Sequence, residues 1–183
     1  MSVYRRNFVA GGTYFFTLVA YNRRPIFATD HGRRFLHYAI ATIRADYPFD
    51  LVATVLLPDH WHLVMTLPIG DARYPLRLRR IKAEFTRLWL TAGHPEARVT
   101  AAQRANGERG VWQPRFWEHT VRDEIDLERR VDYIHWNPRK HRLVQKVIDW
   151  PCSSFHRFVA SGQYSPDWGG IAPQFNDDDW GEP

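Results

Sequence analysis

Two histidines stand one residue apart, and their spacing is the first sign of chemistry in this chain. If the segment that follows is a strand, the two-residue period of a strand puts His60 and His62 on one face and Trp61 on the other. Two neutral imidazoles at alternate positions can hold one divalent metal and leave coordination positions for a substrate. The same spacing also fits two half-exposed polar residues of an ordinary strand. Asp59, directly before His60, is either a hydrogen-bond acceptor for a histidine or simply a turn residue.

A second segment supplies a nucleophile. Tyr133 and Asn137 lie four residues apart in a predicted helix, so they share one face. A tyrosine can accept a phosphoryl group, but with a free pKa of about 10 it needs help from a metal or from cations such as Arg129 and Arg130. Asn137 offers a neutral oxygen that would complete a three-ligand set with the two histidines and suit Mg²⁺ or Mn²⁺. Taken singly, each residue also has a structural explanation. Tyr133 could be an amphipathic tyrosine packed in the core, and Asn137 could be a residue at the helix end before Pro138. His135 lies on another helix face and we interpret it as structural.

The elements that must position these residues follow from hydrophobic periodicity and from turn residues. The pattern predicts four strands, at residues 13–20, 51–57, 61–67 and 112–121, and helices from Asp30 to about 46, from 75 to 90 and from 124 to 136. Pro114 makes the fourth strand an edge strand, and residues 94–110 are predicted to be a loop. The second helix carries Arg77, Arg79, Arg80, Lys82 and Arg87 on its outer face. We expect Asn137 and Pro138 to end the third helix.

This order predicts an α+β fold. A β-α-β-β-α-β chain is the ferredoxin-like arrangement, which has an antiparallel sheet, and here one further C-terminal helix carries the tyrosine. The length of 183 residues fits one domain. We expect a catalytic domain over residues 1–160 and an acidic C-terminal tail over 161–183. No apolar run approaches the roughly 20 residues of a membrane span, there is one cysteine, and we expect a cytoplasmic protein.

Charge and aromatic content favour a nucleic-acid partner. The formal net charge is +5, yet residues 161–183 hold five acidic residues and no Lys or Arg, which leaves a net charge of +10 on the rest. Arginine suits phosphate contacts, and the 15% aromatic content offers stacking surface for unpaired bases. An ordinary solvated surface is the alternative for each basic cluster, and the acidic tail could fold over a basic groove and weaken DNA binding. The predicted DNA-binding residues are Arg5, Arg6, Arg23, Arg24, Arg79, Lys82, Arg115, Arg139, Lys140 and Arg142.

Together the two segments resemble a known family. The chain resembles the IS200/IS605-like transposases, and most closely their REP-associated tyrosine transposase branch. The matching segments run in family order: residues 57–62, which hold the His-hydrophobe-His (HUH) motif, and 133–141, with lesser matches at 12–17, 115–119 and 149–155.

The resemblance implies a reaction and a substrate. It implies metal-dependent cleavage of single-stranded DNA through a covalent 5′-phosphotyrosine, with Tyr133 as the nucleophile and His60, His62 and Asn137 as ligands of Mg²⁺ or Mn²⁺. The implied substrates are bacterial repetitive extragenic palindromes, which are DNA hairpins with a short conserved tetranucleotide at the foot. Two alternatives stay open: a non-catalytic single-stranded nucleic-acid-binding protein, and a metal hydrolase that activates water. We favour a monomer, and a dimer with shared sites stays possible.

Overall fold

The computed structural model describes residues 7–169, and its elements follow the predicted order. Arg5 and Arg6, two of the predicted DNA-binding residues, lie outside the described residues. The strands are β1 (Thr13–Val19), β2 (Asp50–Leu56), β3 (His60–Thr66) and β4 (Trp117–Thr120). The α-helices are α1 (Asp30–Asp46), α2 (Tyr74–Thr91), α3 (Ala101–Ala105), α4 (Glu124–Lys140) and α5 (Phe155–Ala160), and short 3₁₀ turns lie at Tyr21–Arg23, Ile26–Ala28 and Val147–Asp149.

The four strands form one antiparallel sheet in the order β2-β3-β1-β4. This order confirms the predicted ferredoxin-like arrangement, because β3 separates β1 from β2 and β1 separates β3 from β4. The central pair sets the register of the site: His62 lies opposite Thr17, and His60 opposite Val19. The strand that carries the histidine pair is therefore buried in the middle of the sheet.

The sheet has a core on each face. Alternate residues of β1 and β3, such as Phe16 and Trp61, pack against α1 and α2. The residues between them, such as Phe15 and Val64, pack against α4. The histidine pair belongs to this second face, because it alternates with Trp61. Helix α4, the additional helix of the prediction, therefore covers the face that carries the histidines.

Helix α4 does not end where the sequence predicted. It runs from Glu124 to Lys140 and contains Pro138. Asp123 caps its start by accepting a hydrogen bond from the backbone N–H of Asp126, at 2.8 Å. Proline removes only one donor when it lies in the last turn. Here the chain stays helical because His141 N–H donates to the Asn137 carbonyl at 3.0 Å. Asn137 is thus an internal helical residue and not the helix end.

Two further predictions about the bounds of elements need correction. The predicted loop over residues 94–110 contains the short α3, which a capping box between Thr100 and Gln103 holds and which is too short to show a period. The fourth strand begins at Trp117 instead of residue 112, because Pro114 cannot donate to the ladder and Trp112 makes only an isolated bridge to Ala20. Its predicted place at the sheet edge is confirmed.

Arg77 was wrongly predicted to lie on the outer face of α2. It is buried, donates to the Asp71 carboxylate at 3.0 Å, and donates to the Pro48 carbonyl at 2.8 Å. It precedes Ile81 by four residues and so shares the core face of the helix. The charged side chain is tolerated there because its donors find acceptors.

The chain beyond residue 160 continues to pack on the domain. Tyr164 donates a hydrogen bond to Asp132 of α4, and its ring lies 4.8 Å from that of Trp168. Both rings also contact His135. The described part of the predicted tail, residues 161–169, therefore lies against the tyrosine-bearing helix. Over the described part of the chain, no helix is long and apolar enough to cross a bilayer.

Candidate active site

The two histidines lie side by side beneath α4. His60 is 2% exposed and His62 is fully buried, and their ring centroids are 4.8 Å apart. This is the arrangement that the two-residue period of β3 predicted. Buried imidazoles need partners for their ring nitrogens, so the groups around them decide what they can do.

Asp59 orients His60. Its Oδ1 accepts a hydrogen bond from His60 Nδ1 at 2.6 Å, and its Oδ2 accepts one from Arg23 at 2.6 Å. Partial burial opposes ionisation of Asp59, but the hydrogen bonds from His60 and Arg23 outweigh it and lower the pKa of the carboxyl to about 2. An ionised carboxylate accepts only, so the proton of His60 sits on Nδ1 and the lone pair on Nε2. Of the two roles considered for Asp59, the structure shows the acceptor role.

His62 is oriented from the neighbouring strand. Its Nδ1 lies 2.9 Å from the hydroxyl of Thr17, the residue opposite it on β1. This contact leaves Nε2 as the nitrogen that can coordinate a metal. Thr17 was not predicted, because only the strand register reveals the pairing and no local sequence signal marks it.

The buried side chains fit a divalent metal. His60 Nε2 is buried and has no hydrogen-bond partner among the described residues. Burial lowers the pKa of His60 and favours the neutral ligand form. Asn137 is fully buried on α4, four residues after Tyr133, and offers an amide oxygen as a third ligand. No group of three or more His, Cys, Asp or Glu side chains within residues 7–169 could hold a metal, so a site here depends on the mixed His-His-Asn set. That set suits Mg²⁺ or Mn²⁺.

Tyr133 lies next to the histidines. It is fully buried, and its ring centroid is 5.5 Å from that of His62 and 6.0 Å from that of Phe15. The Tyr133 ring belongs to the same buried cluster as Val131 and Ile134, and it contacts His62 of β3. The candidate nucleophile and the candidate ligands therefore meet within one chain.

A lysine that the sequence did not pair with the tyrosine lies beside its hydroxyl. Arg129 is exposed, whereas Arg130 is buried and donates to Asp126 at 3.2 Å. The Lys140 ammonium instead lies 3.5 Å from the Tyr133 hydroxyl and 5.0 Å from the centre of its ring.

Asp126 joins α4 to the edge strand. It binds His119 of β4 at 2.7 Å as well as Arg130, and the Arg130 guanidinium lies 5.8 Å from the Phe15 ring and 5.9 Å from the Trp117 ring. Burial opposes ionisation of Asp126, but hydrogen bonds from His119 and from the Arg122 backbone outweigh it and hold its pKa below the usual range. This group was not predicted from the sequence, and its local signal is the position of Asp126 in the acidic first turn of α4.

His135 fits its structural interpretation. Its Nε2 lies 2.9 Å from the Ser154 hydroxyl, and its ring packs against Phe155 and Phe158. Burial lowers the pKa of His135 to about 3, so the ring is neutral at physiological pH.

The predicted DNA-binding residues fall into two groups. Arg79, Arg115 and Arg142 are exposed. The others within the described residues contact the protein itself. Arg23, although also exposed, binds Asp59, Arg24 donates to the Pro95 carbonyl at 2.9 Å, and Arg139 donates to the Gly169 carbonyl. Lys82 donates to the Gln113 carbonyl at 2.6 Å, and burial lowers its pKa to about 8. DNA contact by any of them stays a prediction.

Comparison with known proteins identifies relatives over most of the chain. Residues 9–137 match the family model described as "Transposase IS200 like". A REP-associated tyrosine transposase of Escherichia coli K12 is 43% identical over 96% of this chain and 96% of its own length. A Haemophilus influenzae protein assigned to the same group is 46% identical over 93% of this chain and 94% of its own length. A solved structure of a REP-associated tyrosine transposase bound to a REP hairpin is 42% identical, with a TM-score of 0.80, and covers 100% of this chain and 98% of that one.

Proposed function

This chain belongs to the IS200-like transposases and, within them, to the REP-associated tyrosine transposases, and from that premise we propose how its own residues act. The substrate is single-stranded DNA beside a REP-like palindromic hairpin, met in the bacterial cytoplasm. Tyr133 is the nucleophile, and it forms a covalent 5′-phosphotyrosine and releases a 3′-hydroxyl. The single observation that carries this proposal is the position of the Tyr133 ring, 5.5 Å from the ring of His62.

The roles of the residues follow from the geometry. His60, His62 and Asn137 would hold Mg²⁺ or Mn²⁺, which when bound would polarise the scissile phosphate and offset its charge. Asp59 and Thr17 keep the two imidazoles turned so that Nε2 of each faces the site. Tyr133 attacks phosphorus, its Oη–P bond forms, and the P–O3′ bond breaks. The phenolic proton passes to solvent and the 3′ oxygen takes up a proton.

The site supports a monomer as the active form. Tyr133 is carried by the same chain that carries both histidines, and α4 packs directly against β2 and β3. A site completed within one chain needs no second copy to supply a nucleophile. The hairpin would supply its phosphates to the exposed cations Arg79, Arg115 and Arg142.

Tyr133→Phe is the decisive variant. We expect it to bind a REP-like hairpin as the wild type does but to form no covalent protein–DNA band on a denaturing gel in Mg²⁺ or Mn²⁺. Tyr38→Phe, which alters an exposed tyrosine on α1, is the matched control and should keep the band. His60→Ala should also lose the band.

The two alternatives, a metal hydrolase that activates water and a non-catalytic binding protein, predict different outcomes. Undiminished cleavage by Tyr133→Phe would reject the tyrosine mechanism in favour of an activated water. Hairpin binding by the wild type without any cleavage or covalent band, in either metal, would favour a non-catalytic binding protein.

A further inference from the structure

Lys140 lies on the same side of α4 as the tyrosine. Seven residues separate it from Tyr133, which is close to two helical turns, so the two side chains fall on nearly the same face. Its ammonium is 3.5 Å from the tyrosine hydroxyl and 5.0 Å from the ring centre. A cation at these distances acts on the oxygen that reacts and on the electron-rich ring face.

The position of Lys140 depends on the last turn of α4. A helix that ended before Pro138 would leave this lysine in a loop. The turn is held because the backbone N–H of His141 donates to Asn137 at 3.0 Å and that of Leu143 donates to Pro138 at 2.9 Å. The ammonium is therefore placed by secondary structure, which is how a catalytic group is best fixed.

Two neighbouring basic residues of α4 make contacts elsewhere. Arg130 donates to Asp126, and Arg139 donates to the Gly169 carbonyl. Arg129 is exposed and lies one turn before Tyr133. Lys140 is the basic residue of α4 whose side chain is placed at 3.5 Å from the tyrosine oxygen.

We propose that Lys140 is a catalytic residue that stabilises negative charge on the Tyr133 oxygen, both when this oxygen attacks the DNA and when it later departs. This inference rests on the proposed function, since it gives Tyr133 its activating partner. As the Oη–P bond forms and the P–O3′ bond breaks, the lysine stays protonated and transfers no proton. When a DNA 3′-hydroxyl attacks the phosphotyrosine, the P–O3′ bond forms, the Oη–P bond breaks and the hydroxyl proton passes to solvent. The same ammonium faces the departing phenolate, which then takes up a proton from solvent.

Lys140→Met tests the charge. One hydrogen bond to a charged group contributes about 1.5–3 kcal/mol, so we expect covalent-adduct formation in a single turnover to slow by about 10- to 100-fold. Lys140→Arg keeps the charge and should retain most of the rate. The matched control is Lys146→Met, which removes an exposed lysine six residues further along the chain and should react at the wild-type rate. Thermal unfolding of each variant checks that it is folded.

A DNA-binding measurement separates this role from the phosphate contact that the sequence predicted for Lys140. Loss of a phosphate contact would weaken hairpin binding and reduce the slope of log K against log salt by about 1. Loss of a group that acts on the tyrosine oxygen leaves both the affinity and the slope unchanged. The inference would be overturned if Lys140→Met bound the hairpin more weakly, with a reduced salt slope, and if the loss of affinity matched its loss of rate.

A ring-fluorinated tyrosine at position 133 gives the sharpest test. Fluorine stabilises the phenolate and makes it a better leaving group. In the reversal step, in which an oligonucleotide 3′-hydroxyl attacks the isolated adduct, fluorination should accelerate Lys140→Met severalfold more than it accelerates the protein with Lys140. Equal acceleration in both backgrounds would mean that the lysine does not act on this oxygen.

The two proposals fail in different ways. If Tyr133→Phe still forms the covalent band, the proposed function is wrong. If Tyr133→Phe loses the band while Lys140→Met reacts at the wild-type rate, the proposed function stands and only the role of Lys140 is wrong.

Discussion

At the scale of single residues, each imidazole is held by a different kind of neighbour. Asp59 precedes His60 in the chain and holds it through Nδ1, whereas Thr17 reaches His62 from the opposite strand. Arg23 in turn holds Asp59 at 2.6 Å, although Arg23 itself lies in the left-handed region with φ 50°. Non-glycine residues rarely adopt such a backbone, and strain of this kind is retained where the surroundings require it. The rings are thus turned before any metal binds.

Asp59→Ala should weaken metal binding. Loss of the group that orients a metal-ligating histidine typically costs 10- to 100-fold in affinity, so we expect about that change. Calorimetric titration of the protein with Mn²⁺, without DNA, measures this affinity directly. Asp46→Ala removes an exposed carboxylate at the end of α1 and should leave the affinity unchanged. Equal affinities for Asp59→Ala and the wild type would contradict an orienting role for this carboxylate.

At the scale of elements, two sets of contacts hold α4 in place, one with the core of the sheet and one with the edge strand β4. Val131 and Ile134 pack on the sheet through the second core. Toward the edge strand, Asp126 and Arg130 join the helix to β4 through His119. A charged group this deep in the protein is costly unless it is paired. Pairing of this kind fixes the helix against β4 in one position and so fixes Tyr133 against His62.

Arg130→Met should destabilise the fold. Removing Arg130 takes a guanidinium partner from the buried Asp126 carboxylate and leaves it the contacts with His119 and Arg122. We expect the free energy of unfolding in urea to fall by about 3 kcal/mol, the lower end for a broken buried ion pair. Covalent-adduct formation should fall as well, because the tyrosine helix is no longer fixed against β4. Arg129→Met, on the exposed side of the same turn, should change stability by no more than about 0.5 kcal/mol. An Arg130→Met protein as stable as the wild type would show that apolar packing alone docks the helix.

At the scale of the whole molecule, the charge is divided between a basic body and an acidic end. Four of the acidic residues, Asp177, Asp178, Asp179 and Glu182, lie outside the described residues, and Asp167 lies within them. Residues 161–169 pack on the domain through Tyr164 and Trp168, so a truncation at residue 160 would remove packing together with charge. The division of the chain at residue 160 stays a prediction.

A truncation after Gly169 tests the acidic end without disturbing that packing. If the last fourteen residues weaken DNA binding by their charge, the truncated protein should bind a hairpin more tightly at low salt, and the difference should shrink as salt rises. Full-length protein with the four acids changed to Asn or Gln is the matched control and should bind like the truncated one. Equal affinities of the truncated and wild-type proteins at low salt would reject the idea.

The sequence by itself determined which residues could do chemistry and which elements carry them. A period of two placed both histidines on one face, a spacing of four placed Tyr133 with Asn137, and hydrophobic periodicity placed the strands and long helices in the correct order. These are local properties of the chain. Two predictions failed because they relied on the type of a single residue. Pro138 suggested too early an end for α4, and the charge of Arg77 suggested that it lies on the outer face of α2.

Only the tertiary structure decided which side chains act on one another. Thr17 and His62 are 45 residues apart in the chain, and the strand register alone brings them to 2.9 Å. The Lys140 ammonium reaches the Tyr133 hydroxyl because the helix continues past Pro138, whereas Arg130 contacts Asp126 and His119. Side-chain type and spacing restrict the candidates, but a hydrogen bond depends on which donors and acceptors the fold brings within hydrogen-bonding distance.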